Sequence, residues 1–268
     1  MKDKRILTIS SEITPYRPET DLSFFSFESA RLAHHNNIQT RIFMPRFGIV
    51  NERRHQLHEV IRLSGVNLII DDIDVPLIIK VASVPGERMQ VYFIDNDEYF
   101  KRKFLFHDKN EKLFKDNDER LIFFTKGVIR TVKKLNWAPD IIHLHGWMAA
   151  LVPLYLKKYF KDDPIFKESK IVTSLYNDSF EGVLSDKLVK KIKFDEIKDK
   201  DLELISESTF LNLQKLAVLH SDSVIFGSEE LSDEIKEYAK KQKKIAVEYQ
   251  SKEDFKKVYT DFYLDQLQ

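Results

Sequence analysis

An α/β fold, with a parallel sheet flanked by helices, is what this sequence predicts, and three observations carry the prediction. Short runs rich in β-branched and aromatic residues alternate with stretches whose apolar residues recur at one-turn spacing along nearly the whole chain. Polar residues gather where the runs end, at Ser11-Glu12, Asp95-Asn96, His145-Gly146 and Tyr176-Asn177, as they do at the carboxyl edge of a parallel sheet. A chain of 268 residues buries roughly three quarters of its unfolded surface, so one large core needs no staple.

Arg5 to Ser10 reads as the opening strand, and Ser11 to Asp21 as a stiff polar loop carrying Pro15 and Pro18. Leu22, Phe25, Ser29 and Leu32 then share one helical face up to His34, Asn36-Asn37 stops the helix, and Gln39 to Met44 is the second strand. This β-loop-α-β unit opens a Rossmann-like sheet. A phosphate-binding version needs glycines so that backbone N–H groups can approach the anion at the helix N-terminus. Thr20 and Asp21 stand there instead, and the Asp21 charge repels a phosphate. Within residues 60–86 the segments Val66 to Ile70 and Val75 to Val84, punctuated by Gly65, Pro76 and Pro85, predict a β-ribbon projecting beside the main sheet, whose own elements occupy 5–45 and 88–250. Gln90 to Ile94 is a further strand, ending in Asp95-Asn96-Asp97-Glu98-Tyr99-Phe100. Asp116-Asn117-Asp118-Glu119-Arg120 reads as a helix cap, with Leu121, Phe124, Val128 and Val132 forming one stripe toward about Leu135.

The stretch Asp140-Ile141-Ile142-His143-Leu144-His145-Gly146-Trp147 predicts a buried strand and a tight turn, then a helix with Trp147, Leu151, Leu154 and Tyr155 at one-turn spacings. His145, Gly146 and Trp147 then sit at the mouth of a cleft. A histidine beside a core strand serves equally as a hydrogen-bonded structural residue, and both roles stay open. Lys170 to Leu175 is a strand running into the polar segment Tyr176 to Gly182. Val183 to Thr209 is so charged that solvated helix or loop is expected. Phe210 to His220 is an amphipathic helix, Ser223 to Phe226 a strand, Glu229 to Lys240 a helix, Ile245 to Tyr249 a last strand and 253–267 a terminal helix. With no repeat and no low-complexity linker, residues 1–268 read as a single domain.

Forty-three basic and forty-three acidic residues cancel, so no overall field favours nucleic acid or an anionic membrane. The absence of cysteine removes disulfides, thiolate metal sites and a cysteine nucleophile. The start, Met1-Lys2-Asp3-Lys4-Arg5, leads into too few apolar positions for a signal peptide, and no run of 18 apolar residues follows. The expectation is a cytoplasmic protein with no metal, no cofactor and neither nucleic acid nor membrane as partner. The polar groups at strand ends include Glu12, Asp95, Asn96, Tyr99, His145, Trp147, Tyr176, Asn177 and Glu181. Amides, carboxylates and aromatic faces suit a sugar, whose hydroxyls need paired donors and acceptors while its apolar face packs on rings.

In order, these motifs resemble the amino-terminal half of the bacterial glycogen synthase and plant starch synthase family. The likeness lies in Ser11-Glu12 with Pro15, Phe43-Met44-Pro45, the run Val91 to Phe100, Asp116 to Arg120 with Phe123-Phe124, Asp140 to Trp147, Tyr176-Asn177 and Phe226-Gly227-Ser228. It implies one half of a GT-B fold, in which two Rossmann-like domains face each other across a cleft. The amino-terminal one makes mainly acceptor-side contacts, and the other binds most of the nucleotide sugar. The implied reaction passes glucose from ADP-glucose to the end of an α-1,4-glucan, with retention and without a metal ion.

Departures from the family pattern change what is expected. Pro18-Glu19-Thr20-Asp21-Leu22 stands where the family has Lys-Thr-Gly-Gly-Leu. In the family's His-x-His-Asp-Trp-His motif the chain keeps His143, His145 and Trp147, with Gly146 for the acid and Met148 for the last histidine; Leu175-Tyr176-Asn177 stands for Val-His-Asn. No catalytic residue is assigned. The candidates for sugar contact are Tyr99 and Asn177, then His145 and Trp147, with Asn96, Tyr176 and Glu12 completing the set. The resemblance further implies that the chain stops where the family's amino-terminal domain ends. The expected protein is thus a catalytically incomplete, glucan-binding or regulatory relative with an α-1,4-glucan or maltooligosaccharide as partner. Two alternatives are half of a split transferase completed by a separate donor-domain protein, and a self-associating scaffold.

Overall fold

The computed structural model describes residues 3–268. The first part of the chain forms β1 (Arg5–Ser10), α1 (Asp21–His35), β2 (Gln39–Pro45), β3 (His58–Glu59), β4 (Val66–Ile70), β5 (Ile73–Ser83) and β6 (Gln90–Asp95). Next come α2 (Asp97–Phe100), α3 (Asn117–Lys134), β7 (Ile141–His145), α4 (Val152–Lys158), β8 (Lys170–Leu175) and α5 (Leu188–Lys193). α6 (Phe210–His220), β9 (Ser223–Phe226), α7 (Asp233–Lys241), β10 (Ile245–Val247) and α8 (Phe255–Gln266) complete it.

The ten strands share one mixed sheet in the order β10-β9-β8-β7-β1-β2-β6-β5-β3, with β4 paired to β5. From β10 to β6 every pairing is parallel, and β1 lies between β2 and β7, where the strand order reverses. Ligands of open parallel sheets bind outside the carboxyl ends of strands at such a reversal. The central strands are apolar on both faces: Ile6, Ile9, Ile141 and Val172 are fully buried. α1 and α8 cover one face through Phe25, Phe255 and Tyr259, while α3, α4 and α6 cover the other through Phe124, Leu154 and Leu213.

Four local expectations change. The ribbon does not stand apart, because β5 runs antiparallel to β6 from Ile78↔Asp95 to Ser83↔Gln90 and carries the sheet outward. Asp116 makes no helix cap; it binds Arg102, at 2.7 and 2.5 Å. Its neighbours turn inward instead. Asn117 donates to Phe106 O at 2.8 Å and accepts from Arg120 Nη1 at 2.6 Å, and the guanidinium lies within 6 Å of the Phe47, Phe100, Phe106 and Phe114 rings. The chain after Gly146 takes a 3₁₀ turn, Trp147–Ala149, and the α-helix begins only at Val152 with Pro153 in its first turn.

The charged segment 183–209 is helix and loop with most of its charged side chains exposed, as expected, but its apolar residues are packed inward. An isolated bridge, Val183↔Thr209, closes its neck, and Leu184, Leu188, Ile192, Ile197, Leu202 and Ile205 are buried beneath it. Two of its charged residues are paired inward as well: Lys191 Nζ holds Asp118 at 2.6 Å and Glu119 at 2.7 Å, and Asp195 accepts from Lys126 at 2.5 Å and Tyr155 at 2.7 Å. Removing one partner of such a pair leaves a buried charge unpaired. We therefore expect Lys191→Ala to cost about 3 kcal/mol, read as a lower urea midpoint at unchanged slope. Limited proteolysis should then cut within 183–209 in the variant while the parent chain resists.

Candidate functional site

A cleft of about 480 Å³ opens at the carboxyl edge of the sheet. The loop after β1 contributes Glu12 and Thr20 to Leu22, the loop after β8 contributes Tyr176 to Asp178, the loop after β9 contributes Ser228 to Glu230, and Tyr249 follows β10. None of the described residues lining it is basic. Arg17 nonetheless approaches Glu12 at 3.6 Å, and Lys252 holds Glu19 at 2.8 Å. Burial raises the Glu12 carboxyl above its ordinary value, with Arg17 acting in the other direction.

The helix N-terminus at the cleft is already satisfied from within. Thr20 Oγ1 accepts from Ser23 N–H at 3.0 Å, and Ser23 Oγ accepts from Thr20 N–H at 2.8 Å, a capping box that uses the donors a phosphate would seek.

The seven sequence candidates separate into two groups. Glu12, Tyr176 and Asn177 line the cleft, and the Asn177 side chain is exposed while its N–H donates to Ser228 Oγ at 3.3 Å. Asn96, Tyr99, His145 and Trp147 are buried. Asn96 caps α2 and donates to Pro76 O at 3.0 Å, and the Tyr99 hydroxyl donates to Glu119 at 3.0 Å. The Trp147 ring packs between Phe106 and Phe180, with centroids at 4.6 and 5.0 Å. Phe180, Glu181 and Val183 also line a broader groove of about 1060 Å³ with Phe104, His107 and Phe114. Phe104 and Val183 are exposed in it.

Tyr176 borders the cleft but is buried, and its hydroxyl points inward. His145 Nδ1 lies 2.8 Å from that hydroxyl, and His143 spans the Tyr263 hydroxyl at 2.6 Å and Ser174 Oγ at 2.8 Å. Desolvation pushes His143 down to about 3 and His145 well below its ordinary value, while burial drives the Tyr176 phenol well above its own. All three are neutral in the folded protein near pH 7. They form an interior polar layer rather than an acid–base pair.

Asp178 is among the cleft residues absent from the sequence candidates, with Thr20, Asp21, Leu22, Ser228, Glu229, Glu230 and Tyr249. Asp178 is half-buried, its Oδ2 accepts from Trp147 N–H at 3.1 Å, and its shielded Oδ1 accepts no hydrogen bond. Burial, reinforced by Glu12, lifts its carboxyl to about 7 against the partial relief of the Trp147 N–H. Gly146 makes this placement possible. Its φ of 77° and ψ of 170° belong to a region essentially reserved for glycine, and a Cβ there would come within 2.6 Å of Asp178 Oδ2. No local pattern in the sequence singled out Asp178, because only the β7–β8 pairing brings it beside Gly146.

Among the described residues no group of three or more histidine, aspartate or glutamate side chains is arranged to hold a metal ion, and no helix is long and apolar enough to cross a membrane.

Residues 5–246 match the family model described as the starch synthase catalytic domain. Glycogen synthase of Chlorobium luteolum is 33% identical over 240 residues, which cover 87% of this chain and 48% of that protein. Glycogen synthase of Chlorobaculum tepidum is 34% identical over 226 residues, covering 84% and 46%. The chain thus spans about half the length of the curated relatives it matches. In fold it is similar to the catalytic domain of starch synthase IV from Arabidopsis thaliana bound to ADP and acarbose, with a TM-score of 0.71 at 16% identity over 91% of this chain and 50% of that one.

A carboxyl raised to about 7 is protonated in the folded state between the unfolded value near 4 and pH 7, so its contribution to stability falls as pH rises through that window. Asp178→Asn removes this dependence. The variant should be more stable than the parent by about 1–3 kcal/mol at pH 8, and the gain should vanish by pH 4, as thermal unfolding across pH will read out.

Proposed function

The chain belongs to the family of starch synthase catalytic domains, and on that premise we propose that it binds the end of an α-1,4-glucan in the cleft beyond β1 and β8, as the acceptor-side half of a glucosyltransferase fold that does not by itself transfer glucose from ADP-glucose. The lining of the cleft carries this reading. Carboxylates at Glu12, Asp21, Asp178, Glu229 and Glu230, with Asn177, Ser228 and the Tyr249 phenol, offer a neutral polyol many acceptors and one ring face. The same carboxylates repel a diphosphate.

Three features argue against independent transfer. The loop from Pro18 to Leu22 closes the α1 N-terminus with the Thr20–Ser23 box where the family has its Gly-Gly turn. Tyr176 stands in place of the family's histidine and gives its hydroxyl to His145. Gly146 and Met148 replace an acid and a histidine, and Met148 is fully buried. Lost positioning or electrostatic contacts of this kind cost ~10²-fold each. The glycogen synthase relatives, and the Arabidopsis structure holding ADP and acarbose, support the glucan as the ligand class.

Two measurements test the proposal. Calorimetric titration with maltoheptaose should give a Kd below about 1 mM, and titration with ADP should give none in that range. Incorporation of labelled glucose from ADP-glucose into glycogen by the pure protein should fall at least about 10⁴-fold short of an ordinary synthase. Absence of binding to any α-glucan, or incorporation near the ordinary rate, overturns the reading.

A further inference from the structure

We propose that the chain pairs with a second copy of itself through the β4–β5 hairpin. The acidic tip Asp71-Asp72-Ile73-Asp74 of each copy seats in a basic and aromatic pocket beside β4 of the other. The surface lies apart from the cleft, since no residue lines both, and the inference does not depend on the glucan reading.

The hairpin ends unfinished. Every second residue of β5 from Ile73 to Val81 is apolar, and Val75, Leu77, Ile79 and Val81 are buried on that face. Ile73 is 59% exposed, although its cross-strand neighbour Ile70 is buried, so the apolar stripe runs one residue past its cover. One exposed isoleucine is ordinary by itself. This one stands among three aspartates, of which Asp72 and Asp74 are exposed and none forms an ion pair among the described residues.

A matching pocket lies next to the tip. β4 pairs only with β5, and four consecutive residues of it, 66–69, form one wall of a pocket of about 480 Å³. Tyr159, Phe160 and Phe194 supply aromatic walls, and α3 supplies Lys126, Arg130 and Lys133. Of the eight large apolar side chains that the described residues expose, Ile69, Tyr159 and Phe194 gather here, and a fourth is Ile73. Lys126 is spent on Asp195 and Lys133 on Asp163, each at 2.5 Å. Arg130 is exposed and has no such partner. The pocket therefore suits an apolar group flanked by carboxylates, which is what Asp72, Ile73 and Asp74 present.

The turn fixes the occupant as a second copy. Ile70 pairs with Ile73, so the hairpin closes over Asp71 and Asp72 and its tip cannot fold back along the edge of its own β4. Because tip and pocket adjoin on one hairpin, a single twofold axis satisfies both contacts at once, and the unpaired edge of β4 is covered in the same step.

The test is sedimentation equilibrium of the full chain from about 5 to about 500 µM. The weight-average mass should climb toward twice that of the monomer, and association should weaken several-fold between about 50 and about 500 mM salt. Ile73→Ser should weaken it at least about tenfold. Arg130→Asp, and separately Asp72→Arg with Asp74→Arg, should each do the same, because like charges then face each other at both contacts. An equimolar mixture of these two variants should associate again, since each tip then meets a pocket of opposite charge. All of these side chains are exposed, so unfolding midpoints should stay at the parent value. A parent chain that is monomeric throughout the range overturns the proposal. So do variants that associate like the parent, or a mixture that stays monomeric.

Discussion

Two imidazoles in the middle strand of the sheet must find partners where water does not reach, and much of the architecture answers that demand. His143 and His145 point the same way from β7, with ring centroids 4.0 Å apart, and both are completely buried. An unsatisfied polar group in such a place costs roughly 1–3 kcal/mol. His143 is satisfied by Tyr263 from α8 and Ser174 from β8, whereas His145 meets Tyr176 at the end of β8 through Nδ1 alone and keeps a buried Nε2 without a partner. The polar layer therefore ties the terminal helix to the central strands and fixes the direction of the residue that starts the cleft loop.

That direction has a chemical consequence at the rim. Because Tyr176 is buried, with its hydroxyl committed inward and its ring against Gly227, the first position after β8 contributes no titrating group to the cleft. Chemistry at the cleft then falls to residues beyond it. Asp178 is the first that can reach back toward β7, and the glycine-only backbone at 146 leaves the opening. Its carboxyl, raised by burial, makes the folded chain less stable as pH rises.

The sheet was readable from sequence because parallel strands buried on both faces appear as continuous apolar runs; β1, β8 and β9 fall on the expected residues. The helices were legible where a cap and a stripe coincide, as in α1 with Thr20 and Phe25. Reading failed where charges point inward. Val183 to Thr209 looked solvated because Lys191 and Asp195 are charged, yet each meets an opposite charge on α3, and no local pattern announces a pair more than 60 residues apart. Asp116 to Arg120 do stand at the start of α3, as expected, but Asp116 turns to Arg102 and Asn117 to the buried Arg120 guanidinium instead of capping the helix. At the site, motif comparison found Glu12, Tyr176 and Asn177, which line the cleft, but passed over Asp178, whose place beside Gly146 depends on the register between β7 and β8.

The division between what the chain shares with its family and what it changes follows from where each residue's energy resides. Substitutions in the core beneath the cleft cost several kcal/mol because they open cavities or strand polar groups, so Ile141, Val172 and the histidine layer are held in place by stability alone. Residues on the rim at Glu229 and Glu230 are exposed, and changes there stay within about 0.5 kcal/mol. A rim can therefore pass from cationic and glycine-rich to acidic while the sheet below keeps its register. The ligand class of such a cleft is set by a handful of charges that folding barely registers, which is why membership of the family identifies the fold of this chain and leaves its chemistry to be argued from the residues that line its cleft.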